Sequence, residues 1–140
     1  RAEGRPVHQL AFYYRFVDWA RYLLREVESG KRTLTVDLPL QALRIGDLAI
    51  GAAAGETVVE LGLRAKQQSP APETWFLGYS NGNIGYIPSA EHYPEGGWSP
   101  HETYLVPDML CQSYMLPMHP SPAAGGVVVD ECTRLMRELW

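Results

Sequence analysis

The sequence predicts an α/β fold, a mixed β-sheet with flanking helices, on three observations. Apolar residues recur at helical spacing near both ends of the chain, over Leu10–Val27 and Val127–Leu139. Between them LAIGAAA, Leu48 to Ala54, is a short continuous apolar run of the kind found in strands buried on both faces. That run leads through a turn and a helical pattern to a second strand, which is the order of a βαβ unit.

The first helix carries apolar residues at Leu10, Tyr13, Val17, Ala20, Leu24 and Val27, with a second row at Phe12, Phe16, Trp19 and Leu23. Its polar stripe (Arg15, Asp18, Arg25 and Ser29, edged by Arg21 and Glu28) is narrow, so most of the circumference calls for cover by other protein. Gly30 supplies the stop. TLTVDLPL, Thr33 to Leu40, alternates strictly and reads as a strand, with Pro39 marking an edge or a bulge. After Leu43 and Ile45, Gly46-Asp47 is a two-residue hairpin turn into the Leu48–Ala54 strand, where Ala and Gly leave room for close packing.

Gly55-Glu56-Thr57 opens TVVELGLRAKQQ, read as a helix of about three turns with Glu60 four residues before Arg64. Ser69-Pro70-Ala71-Pro72 ends it, and TWFLGYS, Thr74 to Ser80, is the following strand. Beyond Ile87 the pattern thins. Ser89 to Tyr93 forms a helical turn, Gly96-Gly97 breaks it, and Ser99 to Ala124 carries five prolines with little periodicity, a loop length that is usually functional or packed on other protein. Val128, Cys132, Leu135, Met136 and Leu139 line the apolar side of the closing helix. No internal repeat or linker divides the chain, which is read as one unit over residues 1–140.

Composition narrows the function classes. With 46% hydrophobic and 20% charged residues the chain is globular, and a formal charge of −4 with scattered Lys and Arg argues against nucleic acid as a partner. Cys111 and Cys132 fit neither a zinc ribbon nor a disulfide framework and read as ordinary thiols. RAEGRPVHQL has no apolar signal core, and no stretch approaches the ~18 apolar residues of a transmembrane segment. Because the sequence starts on Arg1 and not on Met, further residues are expected ahead of it.

Two residues stand where site chemistry would. Glu56 follows a buried strand and precedes a helix, at the carboxyl end of an α/β strand where ligands commonly bind. There it either complements the helix dipole from the first turn or serves as an oxygen ligand for zinc or another divalent metal. Tyr86 follows SNGNIG, whose Asn81, Gly82, Asn83 and Gly85 tolerate positive φ and allow a sharp turn. It either buries its ring with a satisfied hydroxyl or is presented at a strand end for a site. His8, His92, His101 and His119 form no paired metal spacing; His92 and His101 flank the Gly-Gly break and read as hydrogen-bonded or surface residues, or as the lining of a cleft.

Taken together, LRIGDLAIGAAAGETVVELGLRAKQQSP (Leu43 to Pro70) and FLGYSNGNIGYIPSAEHYPEGGW (Phe76 to Trp98) resemble the C-terminal part of the catalytic domain of neutral/alkaline, non-lysosomal ceramidases and their bacterial relatives. In that family a strand leads into a Pro-Gly-Glu turn and a helix, and a later strand ends in an Asn-containing turn followed by a Tyr. The resemblance implies a portion of a larger two-sheet catalytic domain that hydrolyses ceramide to sphingosine and a fatty acid with zinc. By motif, Glu56 and Tyr86 match two of the four zinc ligands. The other two, histidines, and the catalytic serine belong to an earlier part of the domain, on an upstream segment or a separate chain. Ala54 stands where the family has Pro, and Ser99 to Ala124 has no clear counterpart, so the substrate side of the cleft is expected to differ. A second expectation is a non-catalytic α/β module of the same scaffold, binding a partner or lipid-like ligand through Met109, Leu110, Met115, Leu116 and Met118. These five residues equally suit simple packing on the core.

Overall fold

A computed structural model of the chain describes residues 7–33, 35–95 and 120–140. The first helix, α1, spans Val7–Glu28 and closes on Gly30, which takes φ +78 and donates its N–H to Val27 O at 3.0 Å. Strands β1 (Leu40–Ile45) and β2 (Leu48–Ala53) form an antiparallel hairpin with Leu40 opposite Ala53. At its turn Gly46 takes φ +59 while Asp47 keeps negative φ, the pattern of a type II′ turn. A two-residue strand, β3 (Glu56–Thr57), precedes α2 (Val59–Gln68), which crosses over to β4 (Glu73–Leu77), parallel to β2. Then come β5 (Tyr86–Ile87), parallel to β3, a single turn α3 (His92–Glu95), and α4 (Ala124–Arg137).

The three-stranded sheet has the order β1-β2-β4 and is mixed, as the sequence predicts for an α/β chain. Helices α2 and α4 lie side by side on one face of it. The core between them consists of Ala49, Ala53, Leu61, Ala65, Ile87, Val128, Val129, Cys132 and Met136. Small residues on β2 set the spacing: a Cβ on Gly51 would stand 3.0 Å from Met136 Cε, so α4 rests almost on the backbone of the central strand. At the far end Arg44 donates to Leu139 O at 2.7 Å and stacks 4.2 Å from the Trp140 ring, tying the last residues to β1.

Side chains alternate along a strand, so the opposite face carries Leu43, Ile45, Leu48, Ile50, Trp75 and Leu77. Ile45 is 64% and Trp75 56% exposed, so this face is apolar yet uncovered by the described residues. The apolar run at Leu48–Ala54 is thus the central strand, but among the described residues only its α2–α4 face is covered, and Leu48 and Ile50 on the other face are half-buried. Helix α1 takes no part in the main packing among the described elements: Trp19 is buried, whereas Tyr14, Val17, Leu24 and Val27 are exposed. None of the described helices is long and apolar enough to cross a membrane.

Several sequence expectations need correction. Of the described residues in Thr33–Leu40 only the last lies in a strand: the ladder begins at Leu40, and residues 35–39 run outside it. The reason lies in the partner. Leu40 pairs with Ala53, the last residue of β2, and beyond it the chain turns away, so among the described residues the alternating segment meets β2 only through Pro39 O, which accepts from Ala54 N–H at 3.0 Å. The second strand of the βαβ unit ends at Leu77 and not at Ser80, because Tyr79 enters the left-handed region at φ 52. The second helix starts at Val59, which moves Glu56 out of it. Gly96, Gly97 and the Pro-rich stretch as far as residue 119, with Met109, Leu110, Met115, Leu116 and Met118, lie outside the described residues.

Cys132 is fully buried, and burial, with the negative charge of Glu131 behind it, pushes its thiol up to about 11. A thiol with a raised folded-state value adds stability below its unfolded value that is lost as pH rises through the folded one. On a Cys111→Ser background, the stability attributable to Cys132, read as the difference from Cys132→Val in urea unfolding, should fall by about 1 kcal/mol between pH 8 and pH 10.

Adjacent glycines of α4 give a sharper test. A Cβ on Gly125 would lie 2.6 Å from Pro88 O, whereas one on Gly126 meets nothing within 4 Å. Gly125→Ala is expected to destabilise the chain by about 1–3 kcal/mol. Gly126→Ala should stabilise it by about 0.5–1 kcal/mol in the same urea titration, by the helix preference of alanine.

Candidate functional site

Parallel strands β2 and β4 point the same way, and their carboxyl ends, Ala53 and Leu77, open the region where α/β sheets commonly take ligands. Just beyond these ends three successive carbonyls are captured. Ser80 N–H donates to Ala53 O at 3.0 Å, Ile84 N–H to Ala54 O at 2.9 Å and Tyr79 N–H to Gly55 O at 2.8 Å. The chain leaving β2 is thereby wrapped by the chain leaving β4. Glu56 N–H then donates to Gly85 O at 2.8 Å, which starts the β3–β5 ladder.

The wrapping depends on missing side chains. A Cβ on Gly55 would stand 2.5 Å from Ile87 Cδ1, and one on Gly78 would be 3.1 Å from both Gly55 O and Thr57 Oγ1. In the turn, Asn81, Gly82 and Gly85 take φ 63, 131 and 126, so three of the four residues expected to tolerate positive φ use it. Asn83 does not; its Oδ1 accepts from Gly85 N–H at 3.0 Å and braces the turn from inside, while Asn81 donates to Gln41 Oε1 at 2.8 Å.

The result is that Glu56 and Tyr86 are register partners on adjacent parallel strands. Neighbours in register share a face, about 5 Å apart along the hydrogen-bond direction, so a carboxylate and a phenol sit on one surface, both half-buried. Thirty positions apart in sequence, they are brought together by backbone geometry alone. Glu56 is thus not a first-turn residue complementing a dipole: Glu60 takes that place in α2, and Glu56 belongs to the ladder. Ala54, where the resembled family has proline, spends its N–H on Pro39 O, a bond that proline could not make.

As a metal site the pair supplies two hard oxygen donors, a set that suits zinc but falls short of the three protein ligands of catalytic zinc sites. Among the described residues no group of three or more His, Cys, Asp or Glu could hold a metal ion. His92 is engaged elsewhere, Nδ1 3.1 Å from Ser89 Oγ and Nε2 3.7 Å from Glu60 Oε1. The side chain of His8 and all of Cys111, His101 and His119 fall outside the described residues. A groove of about 200 Å³ between α2 and β4, lined by Thr57, Val59, Leu63 and Phe76 with Lys66 at one end, lies on the Thr57 side of β3, away from the Glu56 face.

Sequence reasoning overlooked the cluster of Glu60, Arg64, Ser89, Glu91 and His92. Its visible trace was the Glu60–Arg64 spacing, but the two residues do not serve each other as expected: Arg64 pairs with Glu91 and Glu60 faces His92. No protein-family model, no curated protein and no solved structure matches this chain.

The glycine requirement generates a prediction. Gly55→Ala and Gly85→Ala, the first by steric conflict with Ile87 and the second by positive φ, should each cost about 1–3 kcal/mol in urea unfolding. Asn83→Ala should cost about 1 kcal/mol through the lost turn hydrogen bond.

Proposed function

We propose that this chain is the C-terminal portion of a ceramidase-like zinc amidohydrolase domain, in which Glu56 and Tyr86 are two oxygen ligands of the metal. The observation that carries this reading is their register pairing at the carboxyl end of the β2–β4 sheet. Two motifs matched separately in sequence by resemblance, the Gly-Glu turn and the Asn-turn tyrosine, meet on one surface, as a shared ligand requires. The remaining ligands and the nucleophile come, in this reading, from an upstream segment or a separate chain. When bound, zinc would supply polarisation of the amide carbonyl and a bound water of lowered pKa. Glu56 would hold the ion and offset its charge, and Tyr86 would fix it from the neighbouring strand. The substrate class is a lipid amide such as ceramide.

A specific observation also favours a second reading, that of a non-catalytic module of the same scaffold. The open face with Ile45, Trp75 and Leu77 would then be the surface that meets a partner or lipid-like ligand. Under the first reading the same face is where the rest of the domain would lie.

Metal analysis of the complete protein separates the two. Under the zinc reading, Glu56→Ala and Tyr86→Phe should each lower zinc affinity by more than the ten- to hundredfold typical of a lost outer-shell partner. Unchanged zinc content in both variants removes these residues from the site, and a folded protein that binds no zinc favours the interaction module.

A further inference from the structure

Strand β4 ends the three-stranded sheet, and no strand pairs with its outer edge among the described residues. The N–H groups of Glu73 and Tyr79 point inward, to Asp47 O at 3.2 Å and Gly55 O at 2.8 Å. Backbone direction alternates along a strand, so the N–H and C=O of Thr74 and Phe76 point out. Thr74 is buried, its hydroxyl 2.6 Å from Ser69 Oγ, which leaves the groups of Phe76 accessible. Open edges are normally blunted by lysine, proline or a bulge. From Thr74 to Leu77 this edge has none of them, and its register with β2 is unbroken.

The edge borders the groove of about 200 Å³ between α2 and β4. The α2 wall is one helical face, Val59, Gly62, Leu63 and Lys66, on which Val59 is 69% and Leu63 52% exposed. A Cβ on Gly62 would meet only the Phe76 ring, at an ordinary 3.5 Å, so packing does not demand glycine there. Glycine is a poor residue for a helix interior, and what it provides here is open space above that ring. Lys66 is exposed at one end of the groove and forms no ion pair among the described residues.

An open strand edge, an apolar slot beside it and an unpaired cation together fit one occupant, an extended peptide added as a further strand. Its backbone meets the Phe76 N–H and C=O, and an apolar side chain drops over Gly62. Lys66 lies one turn on from Gly62, about 6 Å along the helix axis, and two strand residues span about 6.6 Å. An acidic side chain two positions from the apolar one therefore reaches Lys66. A second copy of β4 does not supply it, because Glu73 shares the face of Trp75 and Leu77, away from the groove.

We infer that the β4 edge and the α2 groove bind an extended segment of a partner protein carrying an apolar and an acidic residue two positions apart. The groove lies on the Thr57 side of β3, so binding there is independent of any metal on Glu56 and Tyr86.

The test is NMR titration of the full chain with two probes, acetyl-Thr-Thr-Leu-Thr-Glu-Thr-Thr-amide and acetyl-Thr-Thr-Glu-Thr-Leu-Thr-Thr-amide, which cover the two strand directions. One of them should bind with a Kd below about 1 mM. At saturation, hydrogen exchange at the Phe76 amide should slow by about fivefold or more. Lys66→Glu should weaken that peptide about three- to tenfold and leave its Gln-for-Glu analogue unaffected. Gly62→Leu, which fills the slot, should abolish binding while the β1–β2 amide spectrum stays unchanged; if that variant misfolds, Lys66→Glu decides. Failure of both probes to bind below that Kd overturns the inference, as does a Phe76 amide left unprotected or an affinity indifferent to Lys66→Glu. A dimer in sedimentation whose Phe76 amide is protected before any peptide is added also overturns it, in favour of a second copy.

Discussion

The small residues Ala49, Gly51, Ala53, Ala54 and Gly55 are the constraint on which the rest of this structure depends. Ala49, Gly51 and Ala53 keep the inner face of β2 almost flat, and Met136 and Cys132 of α4 come down onto it. Ala54 and Gly55 extend the same economy past the end of the strand, where bulk would push away Ile87 and the backbone at Gly85. A larger residue at any of these places would separate layers that now touch, and packed interiors have little slack to absorb it. One stretch of sequence thus sets both the depth of the core and the geometry of the strand ends.

From that constraint the candidate site follows without special devices. A strand and its parallel neighbour deliver their chains to the same end of the sheet, and the lack of bulk lets the two departing segments wrap each other. Backbone hydrogen bonds from Tyr79, Ser80 and Ile84 then fix the wrap, so Glu56 and Tyr86 face the same way because their backbones are paired. Strain is accepted to achieve this: Tyr79 and Asn81 take positive φ, a conformation costing of order 1 kcal/mol for a residue with a side chain. Gly82 and Gly85 take it freely.

How far the sequence could be read depended on whether the information was local. The hairpin at Gly46-Asp47, the apolar β2, the crossover helix and the amphipathic α4 were legible because periodicity and turn chemistry act over a few residues. The Thr33–Leu40 strand was misread because alternation reports only that a segment could sit on a sheet, and here β2 ends at Ala53 and leaves residues 35–39 outside the ladder among the described residues. For the same reason one of the two readings of Glu56, as a complement to the helix dipole, does not hold: the two-residue ladder that claims it is created by Tyr86, thirty positions away. The Asn-Gly turn was legible as a turn, but that it would bring a tyrosine opposite a glutamate is a property of the fold. The charge cluster between α2 and α3 was hidden more deeply, since the Glu60–Arg64 spacing suggested a pair within one helix and gave no sign of partners at Glu91 and His92.

Magnitudes decide which of these features holds the molecule and which tunes it. Leu61, Ile87 and Met136 are fully buried, and each contributes on the order of 1.5–3 kcal/mol by leaving water. The Arg64–Glu91 and His92–Glu60 pairs are part-exposed, and such pairs contribute at most about 1 kcal/mol. Charge therefore cannot be what folds the chain; it can shift only an equilibrium that is already close to balance. The β3–β5 ladder, whose Ile87 is fully buried in the core, is held by packing and not by these charges.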